Sequence, residues 1–420
     1  MSKTVWIINH YALNPSQGGL SRHFFFAREL QKRGYKVRIF TSSTIHNTNI
    51  NMIGADERCF FKDVEYEGVL YTYLKSSGYS GNGFSRIKNM LGFAFNIKKI
   101  WKNYGWEKPD LIYTSSPDIF TAWKAENFAK KHKLPCIVEV RDLWPLSIVE
   151  YKGISQRNPA IQILYALEKK IYRRANALIF TMEGGKDYIQ EKRWRKKICV
   201  EKIFNINNGI DIEEQNAQRK EYLIEDPDLN DATFKVIYAG SIRTANSVDL
   251  IVQAAKELRE NTEIKFLIYG DGDKREALEK YCVENDLNNI MFKGKVDKKY
   301  IPYICSCANI NFISVKQTQI SKYGVSWNKL FDYMNAGKPV LSNVAVSYDL
   351  LERYNCGISL TEQGAKAISE AILKIYNMPP NEYELMCENA KAAAADFDYL
   401  KLTDKLEEVM NYAIERHKEE

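Results

Sequence analysis

A carboxylate, an ammonium and an open helix start are packed into one stretch, SWNKLFDYMNAGKPVL (326–341). Asp332 stands alone among Leu330, Phe331 and Met334, and Lys329 lies one turn earlier on roughly the same face. Ser326 or Asn328 can cap the helix start. Gly337 suits the left-handed position after its end, and Pro339 prevents resumption. A carboxylate accepts two hydrogen bonds side by side, and a helix start offers unpaired N–H groups to an anion. The stretch reads either as a buried helix, with Asp332 a macrodipole partner and Lys329 solvated, or as one wall of a phosphate and sugar site.

Other residues have the same double character. Gly18-Gly19 leaves room for a phosphate before a helix start, although the spacing is not GxGxxG. GSIR (240–243) combines a close backbone approach at Gly240 with the guanidinium of Arg243, or is a plain turn with a surface Arg. YGDGD (269–273) contains Asp-Gly-Asp but reads as a turn after a strand, and nothing else clusters into an oxygen cage for a metal. Arg141-Asp142 suits contact with a phosphate, and suits equally a structural pair tying strand to loop. Glu183, in TMEGG, is a weaker candidate for the same end of a sheet.

These residues hang on a repeating frame. VWIINHY (5–11), YKVRIF (35–40), DLIYTSS (110–116), CIVEV (136–140) and ALIFT (177–181) are β-rich runs separated by helical stretches, the first at about 20–33. The pattern pauses at Asn207-Asn208-Gly209 and again over a polar surface segment, 218–234. It restarts with KVIYAG, IKFLIYG, NIMFKG and NINFIS, separated by helices near 247–259, 273–285 and 297–305. Such alternation predicts parallel sheets covered on both faces. Two doubly wound Rossmann-like domains facing a cleft are expected, at residues 1–208 and 209–390, with a helix at 391–420 packing back toward the first. Ligands of such sheets sit beyond the carboxyl ends of the strands.

The chain has 420 residues, 45% apolar and 27% charged, with no run long enough to span a bilayer and no signal-peptide core at the start. Its eight cysteines show no CxxC spacing, which fits a reducing cytosol and neither zinc nor a disulfide framework. The net charge of +7 hides an asymmetry: residues 1–220 hold 36 Lys and Arg against 21 Asp and Glu, the remainder 24 against 32. A basic first half suits an anionic membrane or a phosphorylated substrate. No nucleic-acid-binding motif accompanies it.

QGGLSRHFFFARELQKRGYKVRIFTSS (17–43), EVRDLWP (139–145), INNGID (206–211), YGDGDKREALE (269–279) and NKLFDYMNAGKPVL (328–341) together resemble GT-B-fold glycosyltransferases of the family 4 type. In particular they are similar to the branch containing bacterial O-antigen and capsule aminosugar transferases, along nearly the whole chain. The resemblance implies a nucleotide-sugar donor as co-substrate, no metal or other cofactor, and a polyprenyl-diphosphate-linked acceptor. It assigns Asp332 to the ribose, and Gly18, Gly19, Gly240, Ser241, Gly272 and Lys329 to the donor. Arg243, Arg141 and Asp142 become the candidates at the reacting groups.

The departures are specific. Many relatives carry two acids eight apart near the donor sugar; Asp332 fills the second place and Gly324 stands in the first. An Arg and a Lys that face the diphosphate in many relatives are Ser241 and Asn246 here, which makes Arg243 the substitute. A His that touches the donor sugar in many relatives is Arg141 here.

The implied reaction is a retaining transfer of a sugar, such as an N-acetylated 6-deoxyhexose, from a UDP-linked donor to a lipid-linked glycan. Its place would be the inner face of the cytoplasmic membrane, in surface polysaccharide assembly. Two other readings stay open: a non-hydrolysing nucleotide-sugar epimerase of the same fold, and a degenerate GT-B scaffold or binding subunit. FSRIKNMLGFAFNIKKIWKN (84–103) carries Arg86, Lys88, Lys98, Lys99 and Lys102 among apolar residues and Trp101. It has the composition of a helix lying on an anionic membrane, or of one that packs on its own domain with its lysines solvated.

Overall fold

The structure, a computed structural model, describes every residue except 1, 19, 20, 47, 49, 55–57, 80, 82, 103 and 420. It divides into two compact units. One holds the chain up to Asn207 and again from Tyr399; the other is Asn208–Asp398.

The first unit contains β1 (Thr4–Ile8), β2 (Lys36–Ser42), β3 (Phe61–Tyr66), β4 (Val69–Leu74), β5 (Leu111–Ser115), β6 (Cys136–Val140), β7 (Ala177–Phe180) and β8 (Ile203–Asn205). They form one sheet in the order β3-β4-β2-β1-β5-β6-β7-β8. Neighbours run parallel except β3 and β4, an antiparallel edge hairpin. That hairpin departs from the expected all-parallel sheet. Glu67 and Gly68 both take positive φ, 46° and 77°, the geometry of a two-residue turn whose twist suits paired strands. The half-exposed alternation of FKDVEY is what an edge strand shows.

Helix Arg22–Lys32 packs Phe24, Phe26 and Leu30 against Val5, Ile7, Val37 and Ile39. Into the same core goes one face of the last helix, Tyr399–Glu419, through Tyr399, Leu402, Leu406, Val409 and Ala413. The three- and four-residue spacing of these positions is that of one helical stripe. The chain returns to this unit at Tyr399 rather than at residue 391. Pro380–Ala394 is an unbroken helix that buries Ala390, Ala393 and Ala394 in the core of the second unit.

The second unit contains β9 (Phe234–Ala239), β10 (Ile264–Tyr269), β11 (Ile290–Gly294), β12 (Ile310–Ile313), β13 (Val340–Ser342) and β14 (Gly357–Ser359). They are ordered β11-β10-β9-β12-β13-β14 and parallel throughout. Alternate residues feed two separate cores. Ile237, Ala239, Leu267 and Tyr269 join one, while Val236, Tyr238, Phe266 and Ile268 join the other, so both faces are covered. Strand order reverses beside β9, which places a topological switch point between β9 and β12.

The polar surface segment 218–234 carries helical structure. Helix Ile212–Glu221 runs into it, and a short helix, Pro227–Asn230, buries Leu229. Lys293 and Lys265 hold its acids, with Asp226 and Asp228 at 2.7 and 2.6 Å from Lys293 and Asp231 at 2.5 Å from Lys265.

Candidate functional site

In the second unit, the turns that follow β9 and β10 lie backbone to backbone. Gly240 N–H donates to the Tyr269 carbonyl and Ile242 N–H to the Asp271 carbonyl, both at 2.9 Å. A Cβ on Gly270 would stand 1.8 Å from the Gly240 oxygen, and one on Gly272 would stand 2.2 Å from the Ile242 oxygen. Both glycines are therefore required by the approach of these two turns. The Gly272 N–H donates to the Asp271 carboxylate at 2.9 Å.

Gly240 faces a cation. A Cβ there would stand 2.8 Å from Lys329 Nζ. That ammonium is 3.3 Å from the Tyr238 hydroxyl and 4.3 Å from the Tyr238 ring centre. Among the described residues no carboxylate lies within ion-pair distance of it. Burial pushes the Lys329 amine down to about 8, against the opposing pull of Asp332.

Lys329 reaches this place because helix Asn328–Asn335 is tied to β9. The Tyr333 hydroxyl accepts from Ala239 N–H at 2.9 Å. The helix starts after Trp327 with no side-chain cap and no acid in its first turn. Neither Ser326 nor Asn328 caps it, contrary to expectation, because Ser326 Oγ accepts instead from Asn208 N–H at 2.6 Å. Gly337 takes the expected left-handed position, φ 66°.

Ser241 and Asn246 bond to each other. The Asn246 amide donates to the Ser241 hydroxyl at 2.7 Å and to its carbonyl at 2.6 Å. Arg243, close by in sequence, is exposed, and its guanidinium has no partner among the described residues. Asp332 is half-buried, with Oδ1 accepting from Gln215 Nε2. Burial raises its pKa, while Lys298, Gln215 and Lys329 work the other way.

In the first unit, Gly18 has φ 143°, a conformation that favours glycine, directly after the turn Pro15–Gln17. Gly19 lies outside the described residues. Arg141 and Asp142 follow β6 as expected but do not pair with each other. Arg141 N–H donates to Ser116 Oγ at 2.8 Å, and its Nε is buried without a partner. Burial lowers the pKa of Arg141 and raises that of Asp142. Glu183 follows β7, half-buried.

The centre of charge in this unit is a residue that sequence reasoning passed over. Glu139, fully buried, receives Arg22 Nε at 2.8 Å, His23 Nε2 at 3.1 Å, Tyr113 Oη at 2.6 Å and Ser115 Oγ at 2.6 Å. Burial alone would raise its pKa, but Arg22, His23 and Arg141 hold the carboxylate well below its usual range. A lone Glu inside CIVEV was the available signal, since a carboxylate in a buried strand requires a cation. His10 and Asp118, after β1 and β5, were also missed. Burial pushes His10 down to about 3 and Asp118 up to about 6.

Residues 84–102 divide between core and solvent. Helix Phe84–Asn96 buries Met90, Phe93 and Ala94, and Ile97 and Ile100 follow them inward. Trp101 is not a surface anchor: it packs on Phe128 at 5.6 Å and stacks on His132 at 3.8 Å. Arg86 turns to Tyr11, its Nε 2.9 Å from the hydroxyl. Lys88, Lys98, Lys99 and Lys102 are exposed, beside Phe84 at 81%, Ile87 at 40% and Phe95 at 48% exposure. Among the described residues no helix is long and apolar enough to cross a membrane.

Two family models match the chain, Glycosyltransferase Family 4 over residues 17–214 and Glycosyl transferases group 1 over residues 233–378. No curated protein matches it. Among solved structures it is similar to sucrose-phosphate synthase from Thermosynechococcus elongatus, at 17% identity and TM-score 0.71, covering 97% of this chain and 98% of the other. Anabaena HepE in complex with UDP gives 13% and 0.68, covering 97% and 99%. WaaG, a glycosyltransferase involved in lipopolysaccharide biosynthesis, gives 14% and 0.63, covering 96% and 98%. With a transferase model on each of its units and its fold matched end to end, the chain is a glycosyltransferase with the GT-B fold.

Proposed function

We propose that the chain transfers a sugar, with retention, from a UDP-linked donor to a lipid-linked glycan, without a bound metal. The observation that carries this is the un-neutralised ammonium of Lys329 against Gly240, at the switch point of the second sheet. A leaving diphosphate needs positive charge or aligned N–H groups there. Lys329, the uncapped helix start beside it and Arg243 offer both. Asp332 supplies an acceptor for the ribose hydroxyls.

In the transfer, the acceptor oxygen bonds to the anomeric carbon on the face the nucleotide leaves, as the bond from that carbon to the phosphate oxygen breaks. The acceptor proton passes to that leaving oxygen, so no separate base is required. The protein acts by positioning and by stabilising the developing charge.

For the acceptor, support comes from the exposed stripe of Phe84, Ile87 and Phe95 with Lys88, Lys98 and Lys99 beside it. An apolar stripe flanked by lysines suits peripheral binding to an anionic bilayer, here the inner face of the cytoplasmic membrane. The N-acetylated 6-deoxyhexose and the surface-polysaccharide role rest on the resemblance of EVRDLWP alone.

A calorimetric panel of UDP, GDP, CDP, ADP and dTDP, each with and without EDTA, tests the donor half. Selective binding of UDP, unchanged by EDTA, is expected. Binding of none at millimolar ligand, or binding abolished by EDTA, contradicts the proposal.

A further inference from the structure

Gln215 is not part of any motif above, yet it is the side chain that holds Asp332. It lies on helix Ile212–Glu221, in the same unit as helix Asn328–Asn335. Its Nε2 donates to Asp332 Oδ1. Its Oε1 accepts from Asn335 Nδ2 at 3.1 Å. A primary amide has one acceptor end and one donor end. Because Asn335, 2% exposed, takes the acceptor end, the donor end is turned onto Asp332. One turn further on, Arg219 donates to the Asn335 carbonyl, which fastens the two helices at the same level.

Asp332 therefore has one oxygen held by a neutral donor, while Oδ2 meets no hydrogen-bond donor among the described residues. A neutral amide fixes the carboxylate's orientation without cancelling its charge, whereas a lysine or arginine in its place would compete with any ligand hydroxyl for that charge. Asp332 is also one carbon shorter than glutamate, and a short acid has less reach to correct a misplaced rotamer.

We propose that Gln215 is a positioning residue: by fixing the Asp332 rotamer it lets the carboxylate accept from the ribose diol, and so makes affinity depend on the 2′-hydroxyl. This rests on the ribose role of Asp332 proposed above. A buried site built to bond a hydroxyl rejects the analogue that lacks it.

The test compares UDP with 2′-deoxy-UDP, and GDP with 2′-deoxy-GDP, by calorimetry on the full chain in three forms: wild type, Gln215→Leu and Gln215→Glu. The wild type should prefer the ribonucleotide by about tenfold or more. Gln215→Leu should lose about fivefold to tenfold for the ribonucleotide and leave the deoxy form unchanged, so the preference collapses. The deoxy affinity is the internal control that the variant is folded.

Gln215→Glu places a second carboxylate on Asp332. Relative to the wild type at each pH, ribonucleotide affinity in that variant should rise as pH falls below 7 and one proton is shared between the two acids, a dependence absent from a packing role. A folded Gln215→Leu that keeps the wild-type preference, or that loses both forms equally, overturns the assignment of Gln215. A wild type that binds nucleotide without distinguishing the deoxy form overturns the ribose role of Asp332 and this inference with it, and a wild type that binds no nucleotide overturns the donor proposal as well.

Discussion

Lys329 Nζ occupies a point 2.8 Å from where a Cβ on residue 240 would stand, above the Tyr238 ring at 4.3 Å. Glycine at 240 thus leaves open the space that the Lys329 amine occupies. Gly240→Ala should fold, since the nearest atoms to the added Cβ are the end of this flexible amine and the Tyr238 hydroxyl. It should push the ammonium aside and weaken nucleoside diphosphate binding by about fivefold to tenfold. Calorimetry on the variant checks this; wild-type affinity would mean that the amine is not placed by the glycine.

The amine titrates near 8, below the usual lysine value, because burial disfavours its charged form. An arriving diphosphate favours the charged form and raises that pKa. Binding should therefore take up protons above pH 8, and affinity should decline as pH rises beyond it. Titrations near pH 8.5 in buffers of different ionisation heat should reveal the uptake in the wild type and none in Lys329→Met.

The same shift has a stability consequence of opposite sign. With the folded pKa below the unfolded one, the unfolded chain holds more protons between pH 8 and the ordinary lysine value, so stability rises with pH across that window. At pH 7 the cost is fully present. Lys329→Met should raise the melting temperature at pH 7 while losing nucleotide binding. A lower melting temperature for a folded variant would show that the amine contributes to the core instead.

Glu139 should be the most sensitive position of the first unit. Replacing it with Gln leaves Arg22, 2% exposed, without its charge partner, and breaking one side of a buried pair costs about 3–5 kcal/mol. Urea unfolding should show the loss as a lower midpoint. A paired Arg22→Met, Glu139→Leu variant should recover much of it. Loss in the paired variant equal to that of Glu139→Gln would point to the Tyr113 and Ser115 bonds rather than the charge.

The two faces of helix Phe84–Asn96 should separate by mutation. Phe84→Ser with Phe95→Ser should reduce sedimentation with vesicles containing anionic lipid and leave the melting temperature unchanged, since both rings are exposed. Added salt should weaken wild-type binding, because the lysine contribution is screened. Equal sedimentation of the double variant would remove the membrane role from this stripe.

Alternation of apolar runs with helical stretches was enough to read the two parallel sheets from the sequence, because strands buried on both faces read as continuous apolar runs that need no partner information. The edge strand β3 was not read, since a strand with one wet face resembles a loop. At the site, single residues such as Gly240, Lys329 and Asp332 were visible as exceptions to their surroundings. Their relationships were not. That Ser241 bonds Asn246, and that Gln215 turns its amide onto Asp332, depends on contacts between helices or turns that no local pattern encodes. Arg141 and Asp142 show the converse, adjacent in sequence and opposite in charge yet unpaired, because Ser116 and burial set their environments.

Lys329 beside Gly240 is the proposed seat of the donor diphosphate. The most direct measurement is calorimetric titration of UDP into the wild type and into Lys329→Met, side by side at pH 7. Tight, EDTA-indifferent binding to the wild type is expected, with a loss of at least about tenfold in the variant. Equal affinity in the two proteins would contradict it.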